Sequence, residues 1–318
     1  MSSPDGSFVV LAERYLAERR AFGFDMRIAG EQLLTFAGFA DKRSPDGPLT
    51  VTLAVEWART AKRPSPITWA RRLEIVRPFA RYLRQFEPAT EVPTRGLLGR
   101  AHRRLAPYVY TEEELSAILR EAKTLSPRGG LRPAAVATLL GLLACTGLRV
   151  SEALRLYRKD VNFDAAVLHV RESKFRKSRL VPIHSSAILE LRRYAELRDS
   201  RIRDLISEAF FLVDGAIPLS YSKLRTAFRR IRIGLGWEHR PGRRPRMHDL
   251  RHTFACRRLL DWHAEGVDVD VRLLDLSTYL GHAKVTDTYW YLSGFPELMD
   301  LIAKRFEHHA HRAKESRP

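Results

Sequence analysis

The sequence predicts a mainly α-helical protein with a small antiparallel β-sheet. Apolar residues recur at spacings of three and four through most of its 318 residues, which is typical of amphipathic helices. Alternating, strand-like residues are confined to Val167–Arg171 and Leu180–Ile183, with a shorter candidate at Phe210–Val213. With 45% hydrophobic residues, a chain of this length can bury a core in each of two domains.

Four helical segments in residues 1–90 predict a compact bundle, which forms the first domain. Breakers at residues 44–48 and 64–66 separate the last three segments. The apolar positions are Val9, Val10, Leu11, Tyr15 and Leu16, then Leu33, Leu34, Phe36 and Phe39, then Leu53, Val55 and Trp57, and finally Ile67, Trp69, Leu73, Val76, Phe79 and Leu83. Cations surround the last apolar stripe, a pattern that fits a helix lying on a DNA duplex and a solvated face equally well. These cations are Arg71, Arg72, Arg77 and Arg81.

A linker is predicted for residues 91–107, which are polar, interrupted by proline and without a sustained period. The second domain is predicted to span residues 108–307. Thr111 and Glu114 mark its first helix, because they have the spacing of an N-cap and its capping-box partner. In the basic tail, residues 308–318, we expect the histidines to be solvated and not to bind a metal.

The longest apolar run of the second domain, Pro133 to Leu148, predicts a buried core helix, since it is too short to span a bilayer. The two main strand candidates lie on either side of a polar, basic stretch, residues 172–179, and predict a basic β-hairpin. The remainder of residues 111–305 is predicted to be helix and loop.

The charge of the chain predicts a polyanionic partner. The formal net charge is +18 and the isoelectric point is near 10.4. Residues 1–107 contain 18 Lys and Arg against 11 Asp and Glu, so both halves of the chain are basic. Double-stranded DNA is the first candidate, because arginine suits bidentate phosphate contacts. Arginine richness that follows a GC-rich genome remains the alternative.

Cysteine usage and the N-terminus predict a cytoplasmic protein without a membrane segment. Cys145 and Cys256 both lie in apolar helical patterns, and their spacing matches neither a metal site nor a disulfide framework. We expect both to be buried free thiols in a reducing compartment. The first residues lack the charged and then apolar pattern of a signal segment.

Two short motifs place arginines where they could bind an anion. Arg149 follows an apolar helix and a turn at Gly147, and Glu152 lies one helical turn later, where it could orient the guanidinium. His248 and Arg251 have the i, i+3 spacing that puts both on one face of a helix. Taken singly, these pairs are also typical of a surface ion pair and of a capping histidine with a surface arginine.

A third motif, Leu280-Gly281-His282, is followed nine positions later by Tyr291. With the arginine motif, the hairpin lysine Lys174 and the H-x-x-R box, it completes a fixed order of five motifs. The sequence therefore resembles the tyrosine recombinase (phage integrase) family, most densely in residues 110–295. Each motif alone is weak evidence, whereas five in this order are specific.

The resemblance implies a helical core-binding domain followed by an α+β catalytic domain, and it implies roles for single residues. Tyr291 would be the nucleophile, and the phosphate-binding and proton-handling set would be Arg149, Lys174, His248, Arg251 and His282. Glu152 would assist the first arginine, Arg149. His252 would not contact the phosphate itself but would contact residues that do. The implied function is site-specific DNA recombination or integration through a 3′-phosphotyrosyl intermediate.

The chemistry explains why these residue types are needed. Attack on a phosphodiester spreads negative charge over the nonbridging oxygens, which two fixed guanidiniums can stabilise. A phenol with a pKa of about 10 needs a base, for which His248 is the candidate, and the leaving 5′-oxygen needs an acid, for which Lys174 is the candidate. Neither a cofactor nor a metal is implied, since the guanidiniums and the lysine supply the positive charge.

Two residues of the site have competitors. Tyr289 and Tyr291 are two positions apart, so a helix turns them by about 200° and only one can face the phosphate. The family spacing selects Tyr291 and leaves Tyr289 as a packing residue. In the hairpin, the family pattern selects Lys174 over Lys177, because an Arg and an apolar pair with Pro follow Lys174 at the family's distance.

The predicted DNA contacts lie in both domains: Arg71, Arg72, Arg77, Arg81, Arg176, Lys177, Arg179, Arg243, Arg244 and Arg246. The sequence departs from the family pattern at two places. Phe175 and Arg176 replace small residues at the hairpin tip, and residues 262–266 are predicted to form a loose turn in a longer than usual segment.

The resemblance also implies partners and rivals. Recombination pairs two duplexes, so a homo-tetramer on DNA is implied, with accessory recombinases or DNA-bending proteins as further candidates. One alternative is a type IB topoisomerase-like relaxation enzyme, which uses the same phosphotyrosine chemistry on one duplex. The other is a non-catalytic DNA-binding regulator that has kept the fold.

Overall fold

The computed structural model describes residues 6–45, 47–102, 108–171, 178–202, 207–240, 244–282 and 284–293, with the backbone alone for residues 290–293. The chain divides into two compact units, Met1–Leu105 and Ala106–Pro318. Most described residues are helical and the sheets are small and antiparallel, so the predicted fold class is confirmed.

The first unit is a four-helix bundle, and each helix forms where the apolar repeat predicts one. Its helices are α1 (Phe8–Ala21), α2 (Arg27–Arg43), α3 (Val51–Arg59) and α4 (Pro66–Leu83). Side-chain oxygens of Ser7, Thr50 and Ser65 accept backbone N–H bonds at the starts of α1, α3 and α4. The core is aromatic and aliphatic, with the rings of Phe36 and Trp57 5.2 Å apart in an edge-on arrangement.

Part of the predicted linker packs on this bundle. Val92 and Leu98 contact the bundle core, and Ala101 is buried. The Arg77 guanidinium donates to the carbonyl oxygens of Pro93 (2.8 Å) and Thr94 (3.1 Å). Residues 91–102 therefore belong to the first compact unit, and residues 103–107 lie outside the described part of the chain. The functional domain bounds remain a prediction.

The second unit is built around one buried helix. Its helices are α5 (Glu112–Lys123), α6 (Leu131–Thr146), α7 (Val150–Leu154), α8 (Ser185–Arg201), α9 (Tyr221–Gly234), α10 (Met247–Ala264), α11 (Val269–Leu280) and α12 (Thr286–Ser293). The capping box predicted for α5 is confirmed, since Thr111 Oγ1 accepts from the Glu114 N–H at 3.2 Å and the Glu114 carboxylate accepts from the Thr111 N–H. Helix α6 is the predicted core helix, with Leu139 and Leu140 fully buried.

The sheets are short. Strands β1 (Val161–Asn162), β2 (Val167–Val170) and β3 (Arg179–Pro182) form an antiparallel sheet in the order β1-β2-β3. Residue Val170 pairs with Arg179, so the predicted hairpin is present up to the base of its connection. The connection itself, residues 172–177, lies outside the described residues. Strands β4 (Leu212–Val213) and β5 (Ile217–Pro218) form a second, two-stranded sheet.

Two local predictions are wrong. Helix α10 continues to Ala264, so residues 262–264 are helical, and the chain turns only at Gly266, whose φ is +75°. Cys256 is buried as expected, but Cys145 is exposed. Within the described ranges, the structure contains no helix whose length and apolarity would let it cross a membrane.

Candidate active site

A glycine turn places the first candidate arginine. Helix α6 ends at Gly147, whose φ of +63° favours glycine. A Cβ atom there would lie 2.5 Å from Phe254 Cδ1 and 2.9 Å from Leu280 Cδ2. The chain can therefore turn tightly against α10 and α11, and Arg149 stands at the start of α7, directly after the turn.

The side chain of Arg149 is held on two sides. Its Nη1 donates to Glu152 Oε1 at 2.7 Å, and its Nη2 donates to the carbonyl oxygen of Gly281 at 2.9 Å. Glu152 Oε2 also accepts from the Arg149 backbone N–H at 3.0 Å. The orientation that the sequence predicted for this pair is thus present, and Glu152 is buried.

Arg251 reaches the same place from α10. Its Nη1 donates to the Gly147 carbonyl oxygen at 2.8 Å and its Nη2 to the Leu280 carbonyl oxygen at 2.9 Å. The residue is only 2% exposed. Because the last carbonyls of a helix lack intrahelical donors and carry partial negative charge, guanidiniums at the end of α11 are favourable. Arg149 and Arg251 therefore meet at one helix terminus.

A third guanidinium joins them. Arg179 Nε donates to the Tyr279 carbonyl oxygen at 2.8 Å, and its Nη1 and Nη2 donate to the two carboxylate oxygens of Glu152 at 3.2 and 2.9 Å. Three consecutive carbonyls, those of residues 279, 280 and 281, thus each bind a different arginine. Arg179 was predicted to contact DNA, but its guanidinium is turned into the protein and its side chain is 12% exposed.

Two imidazoles lie near these guanidiniums. His248 reaches solvent, yet desolvation by the surrounding protein, followed by the charge of Arg251, lowers its pKa below the usual value. The ring of His252 packs edge-on against it at 4.7 Å, and burial followed by the charge on His248 lowers the pKa of His252 to about 3. Both rings are neutral at pH 7, the state in which an imidazole can accept a proton.

His282 is the third imidazole. It is half-buried after the αL turn at Gly281, and burial followed by the charges of Arg251 and Arg149 lowers its pKa to about 4. Its Nδ1 lies 2.7 Å from Oγ1 of Thr288, a fully buried residue of α12. The neutral ring is therefore linked to the helix that follows it.

The described part of the chain does not include the side chains of two predicted catalytic groups. Tyr291 lies in the last turn of α12, of which the backbone alone is described there. Lys174 lies outside the described residues. Tyr289, predicted to pack, is instead 46% exposed.

The other predicted DNA contacts have mixed surroundings. Arg71 and Arg81 are exposed, and the Arg72 guanidinium lies 3.8 Å from the centre of the Trp57 ring. Arg77 is 8% exposed and bonded to backbone carbonyls, so the structure gives it an internal role in place of the predicted contact. Arg244 and Arg246 pair with Glu238 and Asp249, while Arg176, Lys177 and Arg243 lie outside the described residues.

Sequence reasoning did not identify the cationic face of α9. This face consists of Lys223, Arg225, Arg229 and Arg230, all exposed. The four form no ion pair with any residue in the described ranges, in contrast to most arginines of this unit. The signal was available, because the buried stripe Leu224, Ala227, Phe228 and Ile231 leaves the opposite side of α9 to these cations.

Comparisons with known proteins agree with this geometry. Residues 109–297, more than half of the chain, match the model of the phage integrase family. A putative integrase/recombinase of Sinorhizobium fredii, y4rB, is 39% identical over 309 residues, covering 95% of this chain and 97% of the relative. The tyrosine recombinase XerC of Chlamydia trachomatis is 28% identical over 250 residues, covering 78% of this chain and 73% of XerC.

Solved structures show the same fold. The Tn1549 transposon integrase, in complex with a circular intermediate DNA, superposes with a TM-score of 0.68 at 16% sequence identity, covering 94% of this chain and 99% of that chain. The family match, the 39% identical relative and the shared fold lead to one conclusion. The chain belongs to the tyrosine recombinase (phage integrase) family, whose members are site-specific DNA recombinases.

Proposed function

We propose that this protein cuts and rejoins double-stranded DNA at specific sites through a 3′-phosphotyrosyl intermediate on Tyr291. The observation that carries the proposal is the convergence of Arg149, Arg251 and His282 at the C-terminal end of α11, immediately before the helix that contains Tyr291. Such a site could hold one phosphate next to the start of the nucleophile's helix.

The two guanidiniums would stabilise the transition state. As the Tyr291 oxygen bonds to phosphorus and the 5′-oxygen of the deoxyribose departs, negative charge grows on the nonbridging oxygens. Because backbone carbonyls and Glu152 already hold Arg149 and Arg251 in place, little reorganisation is needed as that charge develops. Removal of one such donor costs about a hundredfold to a thousandfold in rate in other enzymes.

Two further groups would accept and donate the protons that the reaction moves. His248, neutral at pH 7, would take the phenol proton, and Lys174 on the hairpin would give a proton to the leaving 5′-oxygen. The products are a 3′-phosphotyrosyl bond and a free 5′-hydroxyl. Attack by a 5′-hydroxyl of a second strand reverses these steps and reseals the DNA, so the bond energy is conserved without a nucleotide cofactor.

His282 would bind the phosphate as a neutral donor. If the Thr288 hydroxyl donates to Nδ1, the tautomer carries its proton on Nε2, from which it can donate to a nonbridging oxygen.

Thr288 also supports the choice of Tyr291 over Tyr289. Positions 288 and 291 are three apart on α12 and so share a face of the helix, whereas position 289 is turned away by about 100°.

DNA would contact more than the reacting phosphate. The exposed cations Arg71 and Arg81 of the helical unit and the cationic face of α9 are available to phosphates, and the first domain, residues 1–90, would clamp the duplex. The Tn1549 integrase was solved with DNA, which supports a DNA partner here.

We further propose that a tetramer forms on two duplexes in the cytoplasm, with accessory recombinases or DNA-bending proteins as candidate partners.

The experiment that tests the function uses a random-sequence pool of nicked suicide duplexes, in which cleavage next to the nick traps the enzyme on DNA. We expect a covalent protein–DNA band on a denaturing gel and recovery of one preferred sequence. A non-catalytic regulator would bind the pool but form no covalent band. On a supercoiled plasmid that carries two copies of the recovered sequence, a recombinase would join the two sites, whereas a single-duplex relaxation enzyme would only relax the supercoils.

A further inference from the structure

We propose that Arg179 is a positioning residue of the recombination site, which holds Glu152 so that Glu152 can hold the candidate catalytic arginine Arg149. The inference rests on the proposed function and adds a residue to it. It replaces the DNA contact that the sequence predicted for Arg179.

All three guanidinium nitrogens of Arg179 donate hydrogen bonds to groups of the protein. Its two terminal nitrogens bind the two oxygens of one carboxylate, at 3.2 Å to Oε1 and 2.9 Å to Oε2 of Glu152. Its Nε binds the Tyr279 carbonyl oxygen at 2.8 Å. This forked arrangement uses the planar geometry of a guanidinium, which a lysine ammonium does not have.

Glu152, held by Arg179, in turn holds Arg149 in place. The same Oε1 that accepts from Arg179 also accepts from Arg149 Nη1 at 2.7 Å, and Oε2 accepts from the Arg149 backbone N–H at 3.0 Å. One carboxylate thus accepts hydrogen bonds from two guanidiniums. Arg149 donates to this carboxylate from both its guanidinium and its backbone N–H. A shift of this carboxylate would move the guanidinium that is proposed to bind the phosphate.

The burial of Glu152 makes the second cation necessary. The Glu152 side chain is 1% exposed. Burial by itself would raise the pKa of this carboxyl, but the hydrogen bond and charge of Arg179, followed by the backbone and side-chain hydrogen bonds of Arg149, lower it to about 2. A buried carboxylate that loses one of two cationic partners is left partly uncompensated, which favours protonation or rearrangement.

Gly281 provides independent evidence that Arg179 is built into the site. A Cβ atom at Gly281 would lie 2.7 Å from Nη1 and 2.9 Å from Cζ of Arg179, and the φ of Gly281 is +69°. The glycine before His282 therefore leaves the space that the Arg179 guanidinium fills. Its carbonyl oxygen accepts from Arg149, so Gly281, Arg179, Glu152 and Arg149 form one contiguous group.

A comparable ion pair beside the same sheet serves as a control. Arg171 follows β2 and binds Asp160 at 2.7 Å, and the Asp160 side chain is 3% exposed. The pair resembles Arg179–Glu152 in type and in burial of the carboxylate. The Arg171 guanidinium also lies over the Tyr157 ring, and neither Asp160 nor Tyr157 belongs to the candidate site. Loss of Arg171 should therefore leave strand cleavage unchanged.

The test measures single-turnover formation of covalent complex on the random-sequence suicide pool. We expect Arg179→Gln to slow it by about tenfold to a hundredfold, as loss of a residue that orients a ligand-binding group does elsewhere. Arg179→Lys should fall between wild type and Arg179→Gln, and Arg171→Gln should match wild type within about twofold. The thermal unfolding temperature of each variant, including Arg179→Lys, separates this effect from loss of the fold.

A double-mutant cycle tests the route through Glu152. If Arg179 acts through this carboxylate, the variant Arg179→Gln/Glu152→Gln is no slower than Glu152→Gln alone. Multiplicative losses, or full activity of folded Arg179→Gln, would overturn the inference. Absence of covalent complex with wild type would instead overturn the proposed function itself.

The pH profile gives a readout that a purely structural arginine would not change. The charged groups that face Glu152 are Arg179 on β3 and Arg149 before α7, while Arg251 on α10 and His282 after α11 complete the site. Without Arg179, burial raises the pKa of Glu152 against Arg149 alone. The deficit of Arg179→Gln relative to wild type should therefore grow as pH falls below 7, and this growth should vanish in the Glu152→Gln background.

A leaving-group test excludes an effect through the hairpin lysine, which lies five positions before Arg179. On the duplex that the pool returns, a 5′-bridging sulfur leaves without needing a proton. We expect the deficit of Arg179→Gln to persist on this substrate. Rescue by sulfur would show that Arg179 acts through Lys174, which contradicts the inference.

Discussion

Nδ1 of His282 lies 2.7 Å from Oγ1 of Thr288, and this contact joins the loop after α11 to α12. Thr288 is fully buried, although threonine is polar, so its hydroxyl is fixed by this partner. Because Tyr291 follows one helical turn later, the contact connects a phosphate-binding candidate with the helix of the proposed nucleophile.

Replacement of Thr288 by valine removes the hydroxyl and keeps the branched shape. We expect covalent complex formation to slow by about tenfold, because His282 loses the partner that selects its tautomer and α12 loses an anchor. Single-turnover cleavage of the recovered duplex measures this. Thr278→Val, at an exposed threonine on α11, is the control and should change the rate by less than about twofold; an equal effect of both substitutions would argue against the contact's role.

The imidazoles should make stability depend on pH between about 4 and 6.5. Burial followed by neighbouring positive charge lowers the pKa of His252 to about 3 and that of His282 to about 4, whereas both are near 6.5 in an unfolded chain. The unfolded state therefore binds more protons in this window, so the free energy of unfolding falls as pH is lowered. Glu152, with a pKa of about 2, contributes its change mainly below this window.

Chemical denaturation at several pH values measures this slope. In His252→Gln, one of the imidazoles with a lowered pKa is removed, and the fall in unfolding free energy between pH 6.5 and 4.5 should be smaller than in wild type. A slope that does not change in this variant would mean that His252 takes up its proton equally well in both states.

The cationic face of α9 should determine part of the DNA affinity. Arg225→Gln/Arg229→Gln should weaken binding to the random duplex pool and reduce the slope of log affinity against log salt concentration by about 0.9 for each phosphate that the protein no longer neutralises. Arg193→Gln on α8 is the control, since Arg193 is exposed but paired with Glu190. Equal salt slopes for wild type and the double variant would place the DNA elsewhere.

Arg251 should tolerate no replacement, even by another cation. The guanidinium binds the Gly147 and Leu280 carbonyls through two separate nitrogens in one plane, and a lysine ammonium lacks this planar fork. We expect Arg251→Lys to slow cleavage by about a hundredfold or more. Arg258→Lys, at an exposed position on the same helix, should retain the wild-type rate, and near-normal cleavage by Arg251→Lys would rule out the bidentate role.

Much of the fold follows from local sequence signals. The Thr111 capping box, the alternating strands on both sides of the basic stretch and the apolar run of α6 each have one strong physical interpretation. The Gly147 turn could also be anticipated, because a glycine after an apolar helix is typical of a left-handed cap. Family spacing then brought distant motifs to one predicted site.

Other features depend on tertiary contacts that no local pattern specifies. Arg179 follows a basic hairpin and so resembles a DNA contact in sequence, yet its guanidinium turns inward because buried Glu152 and the Tyr279 carbonyl require donors. Arg77 is captured in the same way by the carbonyls of residues 93 and 94. Cys145 is exposed although its surroundings in the sequence are apolar, which the local pattern of α6 does not predict.

The most direct test is to identify the residue that becomes joined to DNA. Wild type, Tyr291→Phe and Tyr289→Phe are incubated with the suicide pool, and the covalent product is digested and sequenced by mass spectrometry. We expect a 3′-phosphate on Tyr291, a covalent band that persists in Tyr289→Phe, and no band in Tyr291→Phe. A covalent band from folded Tyr291→Phe, or a modified peptide that attaches DNA through another residue, would contradict the proposed mechanism.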